Sequence, residues 1–287
     1  MSARLCAFCN QPVEKSPEHV FSKSLLKELG LLTHGVQPRS RTFKPLTGEL
    51  TGEVLHERPA HPLDQYRAGG ICRGCNNSWM SDLENAAIPL LLPLIRRQRV
   101  LLHLGDLSAE ESKILARWAY KTAVVIDQAA GTPKRLVIPA TQRHAFHANQ
   151  DDPPPHLWVF SAQRPHTKPV DYRVIEGPPM SRFGSYPEAQ HPRAAAYYQS
   201  LYEGGATKHY MVGFQILDLL LGVFYWPFPQ YPVMPVIGLH HPLWVPRDPG
   251  TAYIPQTLTS EGVLELSALK SETFTGAFLQ NLAVFIP

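Results

Sequence analysis

The chain has 287 residues, a net charge of +3 and an aliphatic and aromatic content of 44%. That length and composition suit a globular protein of one large domain or two modest ones, and exclude a disordered chain or a binder acting through bulk charge alone. Proline, at 28 residues, is about twice as frequent as usual, which excludes a long helical bundle or coiled coil.

Charge is uneven along the chain. Residues 1–105 carry 13 Lys+Arg against 9 Asp+Glu, a net +4, and the remainder carries 14 against 15, a net −1. The mild basicity therefore belongs to the N-terminal part. We expect a first domain over residues 1–105 and a second over 106–287.

Taken in chain order, Ser22–Leu29 predicts a short helix stopped by Gly30. His34–His61 is rich in Gly, Pro and Thr and reads as loops and small strands, Leu50–Leu55 among them. Trp79–Ile95 begins as a helix and then meets Pro89 and Pro93, which should kink or end it. Arg96-Arg97-Gln98-Arg99 reads as a solvated charge run. The clearest helix is Ala109–Ala130, opened by a capping box of Ser108 and Glu111, stopped by Gly131 and carrying one apolar face through Leu115, Trp118, Val125 and Ile126. A helical turn follows around Thr141–Ala148, and Asp151–Pro155 reads as a rigid linker.

The rest is mainly β, with strands expected at Leu157–Ala162, Asp171–Glu176, Ala196–Tyr202 and Tyr210–Leu217. Leu219–Trp226 continues the last as a hairpin or a buried strand. A closing helix is expected over Glu272–Phe285. The longest apolar stretch, Ile216–Phe228, contains Asp218 and Pro227 and is too short for a bilayer. No membrane partner is expected.

Only four cysteines occur: Cys6, Cys9, Cys72 and Cys75. Two Cys-x-x-Cys pairs can each reach one ion from a tight turn, and together they complete a tetrahedral structural zinc site. Met1–Cys9 lacks the apolar core of a signal peptide, so a reduced, cytoplasmic protein is the expectation. Trp79 and Met80 are expected as core beneath the zinc site.

Between the pairs lies Ser16-Pro17-Glu18-His19-Val20, and Asn76 directly follows Cys75. An acidic residue beside a histidine, set between two cysteine knuckles with Asn after the second, resembles the HNH endonuclease family. The run from Cys72 to Glu84, with Cys75-Asn76-Asn77-Ser78-Trp79-Met80, is similar to an uncharacterised bacterial branch of that family. The resemblance covers residues 4–85. It implies a treble-clef (ββα-metal) zinc module at the start; with the helix and strands read from the later residues, the expected fold is α+β, that module followed by a helix and a β-rich α+β domain. The resemblance further implies phosphodiester hydrolysis in DNA, with His19 as general base. Glu18 and Asn76 would be ligands of a catalytic Mg or Mn ion, and the cysteine-bound zinc would be structural.

The residue types suit that chemistry. Histidine titrates near neutrality and can take a proton from water, and carboxylate and amide oxygens suit a hard divalent ion. Lys15, Lys23, Arg67 and Arg73 flank the motif as candidate phosphate contacts. The family's Asn ahead of the second knuckle, which orients the base, has Gln65 as its nearest counterpart. The other readings are a non-catalytic zinc module that binds nucleic acid, and an interaction protein working through its C-terminal part, with a protein partner or by self-association.

Overall fold

The structure is a computed structural model and describes residues 4–13, 18–36, 39–43, 50–57, 61–101, 106–130, 136–163, 166, 168–176, 210–225 and 241–244. It is a mixed α+β protein. Strand β1 (Glu18–His19) pairs antiparallel with β6 (Arg67–Ala68), with Glu18 opposite Ala68 and His19 opposite Arg67. Helix α1 (Lys23–Glu28) ends where the sequence indicates. Gly30 takes φ +68, and Leu31 N–H closes the end by donating to the Leu26 carbonyl at 2.8 Å.

The insertion carries its own antiparallel pairs. One joins β2 (Gly35–Val36) to β5 (His61–Pro62), the other β3 (Arg39–Phe43) to β4 (Leu50–Glu57). After β6 the single turn α2 (Arg73–Cys75) runs through a widened turn, Asn76–Met80, into α3 (Ser81–Ile95). Ser78, at φ −114 and ψ −115, marks the kink between them.

Helix α3 differs from expectation. It runs through both Pro89 and Pro93 and stops only after Ile95. Its buried residues are Leu83, Ala87, Leu91, Leu94 and Ile95, while Asn85 and Pro89 are exposed. Asn85, whose carbonyl loses its partner at Pro89, is an exposed residue, so the helix can continue at low cost on that side.

The arginines after α3 are anchored. Arg96 donates to the Glu28 carbonyl at 2.8 Å, Arg97 pairs with Asp218 at 2.7 Å, and Arg99 pairs with Glu111 at 2.7 Å. The run read as solvated charge ties the end of α3 to three other segments.

Helix α4 (Ala109–Ala130) opens with the expected box: Ser108 N–H to Glu111 at 2.7 Å and Glu111 N–H to Ser108 Oγ at 3.1 Å. Its burial is not one-sided. From Leu115 to Asp127 every residue but Arg117 is buried, because α4 is enclosed between α3 and a five-stranded antiparallel sheet. The sheet order is β11-β7-β10-β9-β8, built from β7 (Leu157–Gln163), β8 (Val170–Glu176), β9 (Tyr210–Ile216), β10 (Leu219–Tyr225) and β11 (His241–Trp244). The hairpin of β9 and β10 turns at Leu217 and Asp218, with Leu217 at φ +47. Helix α5 (Ala140–Ala148) matches the expected turn, and Pro153 and Pro154 in the expected linker are buried. The strand expected at Ala196–Tyr202 and the helix at Glu272–Phe285 lie outside the described residues.

One hydrophobic cluster crosses the boundary expected at residue 105. Phe21 meets Phe214 at 6.2 Å, Trp118 meets Phe214 edge-on at 5.9 Å, and the Tyr66 and Tyr172 hydroxyls are 2.5 Å apart. Such aromatic pairs contribute about 0.5–1.5 kcal/mol each beyond their burial.

In the sheet, Phe160 lies opposite Gly222 and covers it, so a Cβ there would fall within the ring. Gly222→Ala is therefore expected to lower stability by about 1–3 kcal/mol through overpacking. Chemical denaturation checks this, and an unchanged midpoint would refute the packing described.

Candidate functional site

The first knuckle is an antiparallel turn. Val13 N–H donates to the Arg4 carbonyl at 2.8 Å, Cys6 N–H to the Gln11 carbonyl at 2.8 Å, and Asn10 N–H to the Cys6 carbonyl at 3.1 Å. Asn10 sits at φ +59, a conformation Asn tolerates better than most residues. The second knuckle is the start of α2, where the Cys72 sulfur accepts from Cys75 N–H at 3.4 Å. Two bonds join the knuckles: Ala7 N–H to the Gly70 carbonyl at 2.7 Å, and Cys72 N–H to the Cys6 sulfur at 3.3 Å. Phe8, in the first knuckle, meets Trp79 edge-on at 5.1 Å, and Trp79 meets Phe146 of α5 at 5.6 Å. Trp79 and Met80 are buried below the cluster, as expected.

All four sulfurs lie within 4.8 Å of one another, with Cys6–Cys75 at 3.9 Å and Cys9–Cys72 at 3.5 Å. A tetrahedron with Zn–S bonds of about 2.3 Å has edges of about 3.8 Å. The group can bind a metal such as zinc. Ionisation points the same way. The bond between Cys6 and Cys75 draws Cys6 down to about 4 and pushes Cys75 up, and burial raises Cys9. Without a cation the sulfurs cannot all be thiolates at once.

A second polar centre forms where β1, the exit of α2, α3 and α4 meet. Glu18 is only 6% exposed. Burial pushes its carboxyl up to about 7; Lys121 opposes the rise, Glu84 adds to it, and a hydrogen bond from the Asn76 side chain opposes it. The Lys121 ammonium is fully buried and lies 2.5 Å from Glu84 Oε1. Glu18 and Asn76, expected as ligands of one ion, are neighbours joined by the Asn76 side-chain hydrogen bond. Glu84 and Lys121 join them, and no role was assigned to either from the sequence. The available signal was a lone lysine, Lys121, inside an otherwise apolar helical stretch.

His19 has a different set of partners. Successive strand residues alternate faces, so its ring leaves β1 on the side away from Glu18. There it bonds to the Asp64 backbone carbonyl, with Arg67 and Lys23 nearby. Its Nε2 is buried without a hydrogen-bond partner, so the anchored nitrogen is Nδ1. Burial first, then Arg67 and Lys23, lower its pKa below the ordinary histidine value. The Asp64 carbonyl does the orienting work for which Gln65, an exposed residue, was the nearest sequence candidate.

Lys23, Arg67 and Arg73 are exposed, and Lys15 lies outside the described residues. Arg73 borders an open depression of about 780 Å³ together with Cys9, Cys72, Asn77, Ser78 and His147. Among the described residues, no helix is long and apolar enough to cross a membrane. Comparison with protein-family models, curated proteins and solved structures finds no match in any of the three.

The depression exposes one side of the cysteine cluster. Cys6 and Cys75 are 2% and 3% exposed, whereas Cys9 and Cys72 are half-buried and line the opening. With the fold intact and the metal in place, a small alkylating reagent should label Cys9 and Cys72 before Cys6 and Cys75. Peptide mass spectrometry over a time course checks the order, and uniform labelling would count against this burial pattern.

Proposed function

We propose that the chain is a zinc-stabilised, HNH-type endonuclease that hydrolyses DNA phosphodiester bonds. In this reading residues 1–105 form a treble-clef (ββα-metal) module, and the four thiolates hold a structural zinc. The observation that carries the reading is the His19 ring, with Nδ1 anchored on a carbonyl, Nε2 unoccupied, and two cations beside it.

That arrangement suits a general base. The Asp64 carbonyl fixes the tautomer, so the lone pair sits on Nε2. The lowered pKa keeps the ring neutral and ready to accept a proton. Nε2 is buried, so what covers it would have to move aside for the reaction; a water then deprotonated there would attack the phosphorus, and the Nδ1–H bond to the Asp64 carbonyl would hold the ring as it gains charge. Arg67 and Lys23 would draw the phosphate toward the ring and offset its charge. Glu18 and Asn76 supply hard oxygen donors of the kind Mg or Mn takes, with Glu84 close by. The His19 ring leaves β1 on the other side, so such an ion would supply charge neutralisation at a phosphate that spans the edge of the strand.

A second reading has one observation in its favour. Glu18 is buried and already offset by Lys121. A non-catalytic zinc module that binds nucleic acid would keep such a centre for structure alone.

Plasmid nicking in Mg²⁺ or Mn²⁺ separates the two. The wild type should nick supercoiled DNA, and His19→Ala should lose roughly 100-fold or more of that activity. The acid limb of the pH–rate profile should have its midpoint below the usual histidine value, and Arg67→Ala should move it upward by removing a repelling charge. Equal nicking by wild type and His19→Ala would remove His19 as base. Retained DNA binding without nicking would favour the second reading.

A further inference from the structure

The centre around Glu18 contains a cation of its own. Lys121 comes from the middle of α4, and its ammonium is buried against Glu84, with Glu18 within its field. Helix α4 packs against β6, whose Ala68 lies directly opposite Glu18, which brings the lysine's helix beside the strand pair. A lysine this buried carries a large desolvation cost and persists only where anionic groups compensate it. Here the Glu84 carboxylate bonds the ammonium, and Glu18, itself bonded by the Asn76 side chain, lies within its field. Those carboxylates and that amide oxygen are the donors a divalent ion would use.

We propose that Lys121 is the resident counter-cation of the Glu18–Glu84 centre, and that a divalent ion occupies this centre only by exchanging against it. This deepens the nuclease reading and rests on it for the ion's role in activity. The exchange itself is a property of the carboxylates, the amide and the ammonium. Two cations next to the same carboxylates repel, so the ammonium must withdraw when the ion enters. The ion must therefore bind more weakly than its donor set alone would allow. Lys121 acts as a positioning residue, holding Glu84 and Glu18 in place while no ion is present.

The test uses the full-length, zinc-loaded protein without nucleic acid. Mg²⁺ and Mn²⁺ leave the thiolate site to zinc because they prefer oxygen ligands. Thermal unfolding is measured with and without millimolar Mg²⁺ or Mn²⁺ for the wild type, Lys121→Met, Lys121→Gln and the double variant Lys121→Met with Glu18→Gln. Without the ammonium, both single variants should melt lower than wild type, and the divalent ion should restore at least half of the lost Tm. The wild type should not respond, and the double variant should lose the rescue. Mn²⁺ should bind the single variants about tenfold or more tighter than the wild type, or about 1.4 kcal/mol. Absence of rescue in both single variants, or an equal ion response in wild type and variants, would overturn the proposal. Rescue together with a wild type that never nicks DNA would keep the exchange and remove the nuclease reading. Nicking by the wild type without rescue would do the reverse.

Discussion

Four thiols cannot ionise side by side within 4.8 Å of one another without a positive charge among them. That constraint organises the N-terminal half of the molecule. A metal such as zinc would relieve it, and would join sulfurs up to 69 residues apart in sequence. Structural zinc sites release an apparent binding energy of about 10–16 kcal/mol, comparable with the whole stability of a typical domain. Among the described residues the segment between the knuckles has short strands and little helix, and a metal at the four sulfurs would compensate for that thin local structure. Glu18 and His19 on β1 and Asn76 beyond α2 take their positions from this frame.

The frame extends into the C-terminal half by packing. Trp79 touches Phe8 of the first knuckle on one side and Phe146 of α5 on another, so the metal cluster rests on a helix that follows α4 in sequence. Helix α4 sends Lys121 to Glu84 and Trp118 to Phe214. Its enclosure explains how a charged side chain can be buried in mid-helix, since α3 and β1 supply the opposing carboxylates. The strand pair that carries His19 also carries Arg67, so the imidazole and the guanidinium share one rung of the ladder.

Features governed by local chemistry were legible in the sequence. The Ser108–Glu111 box, the Gly30 stop, the hairpin of β9 and β10 and the two cysteine pairs each depend on residues close together in sequence. Features governed by tertiary placement were not. Pro89 and Pro93 read as breaks, yet α3 continues through both, with Asn85 and Pro89 on its exposed side. The arginines after α3 read as solvated because their partners, Glu28, Asp218 and Glu111, lie on other elements. Lys121 is 37 residues from Glu84, and no spacing rule links them. Gln65 was sought as the orienting residue by its side chain, whereas orientation comes from the Asp64 main chain, which carries no signature in the sequence. The sheet order β11-β7-β10-β9-β8 likewise depends on long-range pairing.

The account rests on the metal at the four sulfurs, and its composition tests it most directly. Protein purified under reducing conditions without chelator should contain about one zinc per chain, and its cobalt-substituted form should show thiolate-to-metal charge transfer with the visible bands of a tetrahedral site. Much less than one metal per chain, or a cobalt spectrum lacking thiolate coordination, would contradict it.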